Sequence, residues 1–286
     1  MDTIEQSAAL DPALIGGRDR AKFFRAERHD RLEGLTAAFR RHRYEPHTHD
    51  TYVVGIILAG CETWRLNGVR HYAGPGSLCF VNPGEVHDGE PAGEGYAYRM
   101  TYPSIDLLRS VAAEVTDRDD AAAPYFAACV VPDPQAARMF LDAHLKLEAD
   151  PDGLAGEEAL VEVYAHLLRR HARLDRPAGR LSAHGPAMRR VREFLDASLA
   201  TDPDLGRLAE LAGLSRDHLI RLFKRETGLT PHAYLMDARV REARRLLARG
   251  EAPADVALAC GFFDQSHLNR CFKPRVGTAP GAYRRG

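Results

Sequence analysis

The sequence predicts two domains of different class: an N-terminal all-β barrel or jelly roll with helices after it, and a C-terminal all-α domain holding two helix-turn-helix units. Three observations predict this. Short β-like runs punctuated by Gly, Pro and Asn fill residues 43–102. Further on, a block of sequence recurs at an offset of 49 positions. Charge also changes sign along the chain: residues 1–180 carry 21 Lys and Arg against 28 Asp and Glu, whereas residues 181–286 carry 18 against 12. One end therefore suits a polyanion and the other does not. At 286 residues and 45% hydrophobic side chains, two packed cores are within reach.

Residues 1 to about 20 are polar and read as loose. The start is neither basic nor apolar, and no stretch reaches the roughly 18 apolar residues of a membrane span, so a soluble, cytoplasmic chain without a membrane partner is expected. The five cysteines (61, 79, 129, 260, 271) form no Cys-x-x-Cys pair and read as reduced thiols. Strands are expected over Thr51–Ala59, Glu62–Leu66, Val69–Tyr72, Ser77–Val81 and Tyr96–Tyr102, with Asn67-Gly68 as a hairpin turn. Antiparallel strands so spaced suggest a small barrel whose mouth can hold a ligand.

The side chains with chemistry in that barrel are His47-x-His49, Tyr52, Trp64 and, in Asn82-Pro-Gly-Glu-Val-His87, the terminal histidine. Alternate strand positions share a side, so His47 and His49 can face one site. The pattern resembles that of the cupins, in which two histidines on one strand and one on another hold a metal. The acidic ligand that cupins place four or five residues after the second histidine is Val53 or Val54 here. His47, His49 and His87 are therefore expected to hydrogen-bond loops or to touch an organic effector, together with Tyr52 and Trp64, and no metal or other cofactor is assigned. Trp64 reads also as core. Glu85 and Asp88 flank a turn, nothing places them beside a substrate, and no catalytic residue is assigned.

Beyond Pro103, helices are expected over Ser104–Glu114, Pro134–Glu148 and Glu157–Arg173, separated by Pro132, Pro151 and Pro177. In the third, Leu160, Tyr164, Leu167 and His171 form an apolar face that Val161 and Leu168 widen. Such a face packs on its own barrel or pairs with a second subunit. Periodicity breaks over residues 174–186, which divides the chain into an effector-binding and dimerisation domain (1–176), a linker (177–186) and a DNA-binding domain (187–286).

The second domain opens with a helix over Ala187–Leu199. Each repeat is then a short helix, a glycine turn and a second helix: Leu205 to Ala212 with Gly213-Leu-Ser215, and Ala254 to Cys260 with Gly261-Phe-Phe-Asp264. The pairs His218/His267, Leu219/Leu268, Arg221/Arg270, Phe223/Phe272, Lys224/Lys273, Gly228/Gly277, Pro231/Pro280 and Tyr234/Tyr283 keep one register. Ser215 and Asp264 are the expected N-caps, and the small Ala209 and Ala257 permit close helix crossing. Leu219, Leu222 and Phe223, like Leu268, Cys271 and Phe272, form an inward stripe at i, i+3, i+4. The opposite stripes carry Asp217, Ile220, Arg221 and Lys224 in one unit and Ser266, Asn269, Arg270 and Lys273 in the other. Arg and Asn read guanine and adenine edges, and Lys suits phosphates. A long helix from Pro231 to about Ala248 joins the units.

Phe223-Lys-Arg-Glu-Thr-Gly-Leu-Thr-Pro231, Arg239-x-x-x-Ala243-Arg-x-Leu-Leu247 and Gly261-Phe-x-Asp-Gln-Ser-His-Leu-x-Arg-x-Phe-Lys273, followed by Gly277-x-x-Pro280-x-x-Tyr283-Arg, resemble the DNA-binding domain of the AraC family of bacterial transcription regulators. Pro75-Gly76 and Asn82-Pro-Gly-Glu-x-His87-Asp-Gly89 resemble, less specifically, that family's cupin-like effector domain. The resemblance implies a regulator whose engagement of double-stranded promoter DNA is altered by a small molecule in the barrel. It implies a homodimer formed through the Glu157–Arg173 helix, with RNA polymerase a further partner of an activator. Family DNA contacts fall on Asp217, Ile220 and Arg221, and on Gln265, Ser266, Asn269 and Arg270. Asp217 repels phosphate and Ile220 offers apolar contact, such as to a thymine methyl. Arg225 and Arg275 stay open between phosphate and solvent. The competing reading is a cupin-type metal-dependent enzyme with an accessory DNA-binding domain.

Overall fold

A computed structural model describes residues 15–118, 120–174 and 185–286. Among them the chain forms two compact units, one drawn mainly from residues up to 174 and the other mainly from residues 185 onward. Residues 177–184 of the expected linker lie outside the described residues.

The chain up to residue 174 holds β1 (Arg20–Ala26), β2 (Leu32–Phe39), β3 (Tyr44–His47), β4 (Val53–Leu66), β5 (Val69–Ala73), β6 (Ser77–Val81), β7 (His87–Tyr102), β8 (Tyr125–Phe126), β9 (Val130–Pro132) and β10 (Ala172–Arg173), of which β3 groups with the second unit. The main sheet runs β1-β2-β7-β4-β6-β9, with β3 on β7 and β5 on β4. The pairings along that path, and that of β5 with β4, are antiparallel. Asn67 and Gly68, both at positive φ (53° and 81°), close the β4–β5 hairpin between the paired Leu66 and Val69, as a type I′ turn requires.

Two strands expected separately, Thr51–Ala59 and Glu62–Leu66, are one strand, β4. Its register against β7 shifts between Ile57 and Ala59 and again between Gly60 and Glu62. Gly60 is obligatory there: its φ is +70°, and a Cβ would lie 2.0 Å from the Gly95 carbonyl oxygen. Bulges re-aim the side chains that follow them, and Glu62, Trp64 and Leu66 are all buried. β1 and β2 lie in a stretch where sequence alone suggests no strand. In β2, buried positions fall on both faces, so the period-two alternation that marks a strand is missing.

Helices α1 (Ile105–Thr116), α2 (Pro134–Ala149) and α3 (Leu154–His171) cover one face of the sheet. Tyr52, Val54, Ile56, Leu78 and Phe80 meet Leu108, Phe140, Leu147, Leu160, Tyr164, Leu167 and Leu168 in a single core. A buried side chain of this kind contributes about 1.5–3 kcal/mol. The apolar stripe of α3 is therefore occupied by its own unit, while Leu154 and Val161 remain exposed.

The C-terminal unit comprises α4 (Pro186–Ala197), α5 (Leu205–Ala212), α6 (Arg216–Thr227), α7 (Pro231–Ala248), α8 (Pro253–Ala259), α9 (Gln265–Val276) and α10 (Pro280–Arg285). The repeat in sequence is a repeat in physics. Ser215 accepts from the His218 N–H, and Asp264 from that of His267. Gly228 and Gly277, at φ 81° and 83°, end α6 and α9 and donate to the Lys224 and Lys273 carbonyls. Phe223 meets Tyr234 edge-on at 5.6 Å, as Phe272 meets Tyr283 at 5.5 Å. Arg192 and Arg244 each lie 5.6 Å from the tyrosine ring of their unit. The two turns differ in one respect. A Cβ on Gly213 meets nothing within 4 Å, whereas one on Gly261 would lie 2.3 Å from the Leu199 carbonyl oxygen. No described helix is long and apolar enough to cross a membrane.

Candidate functional site

Helices α6 and α9 bury one stripe and expose the other. Leu219 and Phe223, like Leu268 and Phe272, are fully buried, whereas Asp217, Arg221, Lys224, Gln265, Ser266, Asn269, Arg270 and Lys273 are exposed and Ile220 is half-buried. Each outward face thus offers donors of the types that read base edges and phosphates. On α6, Arg221 pairs with Asp217 at 2.7 Å across one helical turn. An exposed pair of this kind contributes about 0.3–0.5 kcal/mol, so Asp217 can orient the guanidinium yet release it to a nucleic acid at little cost. Arg275 turns back to donate to the Cys271 carbonyl at 2.9 Å, while Arg225 stays exposed.

Sequence alone does not single out Phe263, 87% exposed directly before the cap Asp264 of α9. The signal is in the Phe262-Phe263 doublet: Phe262 is buried and its neighbour faces outward.

In the barrel, His47, His49 and His87 are buried, and their ligand-capable nitrogens all lie within 4.8 Å of one another. The turn Asn82–Glu85 brings them together. Its Glu85 carboxylate accepts from the Asn82 backbone N–H and from Nδ2, each at 3.1 Å, and the Gly84 N–H donates to the His49 carbonyl at 2.8 Å. The start of β7 is thereby set beside His49, whose ring centroid is 5.1 Å from that of His87. His47 Nδ1 donates to the Glu45 carbonyl at 2.8 Å and His87 Nδ1 to that of Glu85 at 3.1 Å. A carbonyl only accepts, so in each neutral ring the proton sits on Nδ1 and the lone pair on Nε2. Burial holds His87 below the ordinary imidazole pKa, although its bond to Glu85 and the nearby Asp88 oppose this.

Glu85 and Asp88 do not form an acid–base pair. The first caps its own turn and the second accepts from the Arg65 N–H at 2.6 Å. Tyr52, expected beside the histidines, belongs instead to the core under the helices. It packs in one core with Val54 and Ile56, and its hydroxyl donates to the Pro124 carbonyl at 2.7 Å. Trp64 is buried, and its Nε1 has no hydrogen-bond partner among the described residues. Two positions earlier stands a residue that sequence alone leaves unmarked, Glu62. Burial pushes its carboxyl pKa up to about 8, opposed by a hydrogen bond from Tyr96, so it is largely protonated at neutral pH. A glutamate in a β-like run reads as outward-facing, and only the bulges turn this one in.

Comparison with known proteins gives matches on both units. The model of the AraC-like ligand binding domain matches residues 31–168, and that of a helix-turn-helix domain matches residues 208–286. The uncharacterized HTH-type transcriptional regulator YbfI of Bacillus subtilis is 28% identical over 227 residues, covering 79% of this chain and 82% of its own. The HTH-type transcriptional activator RhaS of Escherichia coli is 27% identical over 252 residues, covering 85% and 88%. In fold, an apo structure of a ToxT variant from Vibrio cholerae covers 93% of this chain and 96% of its own at a TM-score of 0.56 and 11% identity.

Proposed function

Since the chain belongs to the AraC family of DNA-binding transcription regulators and carries an N-terminal ligand-binding domain, we propose that α6 and α9 each read one box of a promoter and that a small organic effector in the barrel governs this binding. The observation that carries the proposal is the duplicated unit, with matching caps, matching aromatic pairs and a polar outward face in each copy. Arg270 and Asn269 read base edges in one box and Arg221 in the other; Lys224 and Lys273 hold phosphates. Gln265 and Ser266 act at the N-terminus of α9, and Ile220 offers a thymine methyl an apolar contact.

A binding-site selection tests these roles. Arg270→Ala should weaken binding by about 1–3 kcal/mol and relax base preference in one box. Lys273→Ala should weaken all sequences alike and lower the salt slope by about 1. Identical selection profiles for the two variants would remove base reading from Arg270.

For the effector, Trp64 Nε1 and the protonated Glu62 are the polar anchors. A buried donor without a partner costs about 1–3 kcal/mol, which a ligand acceptor would recover. Mass analysis of small molecules released from purified protein should find an organic compound retained by the wild type and by Glu62→Gln, which keeps a neutral side chain, and lost from Trp64→Phe. Equal retention by all three would take Trp64 out of the pocket. The chain works as a cytoplasmic regulator and not as a cupin-type enzyme, in keeping with relatives that are regulators and with Glu85 and Asp88 already engaged by backbone donors. It pairs as a homodimer through the outer face of α3, where Leu154 and Val161 lie exposed, and RNA polymerase is a further partner where it activates.

A further inference from the structure

We propose that Phe263 is a further specificity-determining residue, its ring meeting the methyl group of a thymine in the box that α9 reads; this rests on the reading of α9 as a DNA-contacting helix. The two repeats do not match at the turn. Before it they are offset by 48 positions. Ala209 and Ala257 are both buried, and Gly213 and Gly261 both stand at positive φ (68° and 75°). The Leu214 N–H donates to the Ala209 carbonyl at 3.0 Å, as the Phe262 N–H donates to that of Ala257 at 2.8 Å. From the caps Ser215 and Asp264 onward the offset is 49. The second turn therefore holds one residue more than the first, and that residue is Phe263.

The extra residue is held in place but not buried. Among the described residues no large hydrophobic side chain is more exposed, at 87%. Its backbone N–H donates to Nδ1 of His267 at 3.2 Å, and the His267 ring stands edge-on to the buried Phe262 at 5.4 Å. Nδ1 accepts here, so the neutral ring carries its proton on Nε2. A single exposed aromatic is ordinary on a protein surface. One whose backbone is tied to a side chain of α9 is presented at a fixed place. The first helix-turn-helix unit has no such place, because Leu214 there meets the cap Ser215 directly and His218, the counterpart of His267, is exposed.

Position and chemistry together name the occupant. Asp264 is extended (φ −158°, ψ 177°), so the Cα of Phe263 lies within about 7 Å of that of Gln265, two residues at up to about 3.3–3.6 Å each. That reach is about two base-pair steps of roughly 3.4 Å. In a helix-turn-helix the N-terminal residues of the second helix contact base edges, which brings the residue just ahead of them to the rim of the same groove. A phenyl ring offers neither donor nor acceptor. Against a phosphate it gains nothing, and the feature of the major groove that it fits is the thymine methyl. The box read by α9 should thus hold a thymine within about two base pairs of the contacts of Gln265 and Ser266, at a position for which the box of α6 has no counterpart.

The test is a binding-site selection with the full-length chain, followed by titration on the selected DNA with that thymine replaced by deoxyuridine, which lacks the methyl. The wild type should select thymine there and lose about fourfold in affinity on the deoxyuridine site, the effect of one methyl group no longer buried. Phe263→Ala, checked by circular dichroism, should select no base at that position and bind both DNAs alike. Phe263→Tyr keeps the ring and should keep the preference. Arg270→Ala separates this inference from the reading it rests on. If Arg270→Ala changes the selected box and Phe263→Ala leaves it as in the wild type, the assignment of Phe263 is overturned while α9 still reads DNA, and the exposed ring falls to a protein partner. If neither variant changes the box, both fail.

Discussion

Arg239→Ala should lower the stability of the C-terminal unit by about 2–5 kcal/mol, the cost of two carbonyls left without their buried donor and of the void behind them. Arg239 is only 2% exposed in the middle of α7. Its Nε donates to the Leu199 carbonyl at 2.7 Å, and Nη2 donates to the Thr201 carbonyl and the Asp202 carboxylate, each at 2.8 Å. The ion pair is the lesser part, because the Asp202 side chain is 84% exposed and solvent screens it. The larger part is the carbonyls of Leu199 and Thr201 left without their donor, together with the void left by the side chain. The same guanidinium lies against Gly261, the turn residue of the second unit, so its loss also loosens the approach to α9. Arg239→Lys should recover little, since a single ammonium cannot reproduce the fork. Denaturant unfolding followed by circular dichroism measures the effect. A loss below about 1 kcal/mol would mean that these oxygens find other donors.

This arginine shows where sequence stops being informative. It lies in one of the segments that carry the family resemblance, yet a charged residue on a helix reads by default as solvated. What makes it structural is the loop between α4 and α5 folding over it, a contact across nearly forty positions. The duplicated units, by contrast, are legible almost to the residue. Their caps, glycines and stripes are local, and the fixed offset places each signal twice. The Asn67-Gly68 hairpin is legible for the same reason.

The barrel is less so. β1 and β2 lack alternation, and the bulges at Gly60 reset the inward face of β4, which hides Glu62. Tyr52 lies three residues beyond His49 but on the helix-covered face. The convergence of His47, His49 and His87 depends on the turn at Asn82–Glu85 folding back onto His49, which spacing cannot reveal. The α3 stripe is visible in sequence, but a stripe does not name its partner, and here the partner is the chain's own sheet.

The proposed reading of DNA by both units rests on α7, whose 18 residues at about 1.5 Å each span roughly 27 Å. Two reading helices joined by such an element are held at one separation. If both enter the same face of the duplex, their boxes lie about one turn apart, roughly 34 Å or 10–10.5 base pairs. Inserting about five base pairs between the boxes turns the second to the far side of the duplex. Inserting about ten restores the face but doubles the distance, beyond what α7 can span. Either change should remove the second helix from its box, which forfeits at least two base-pair contacts at about 1–3 kcal/mol each, or about 30-fold in affinity at the least.

The deciding measurement is a binding titration of a fragment beginning at residue 185 on the native promoter spacing and on the two insertions, at one fixed salt concentration. Both insertions should weaken binding by about 30-fold or more. Unchanged affinity with either one would contradict the account, because it would mean that a single helix reads DNA and that the face of Asn269, Arg270 and Lys273, or that of Arg221 and Lys224, is merely solvated.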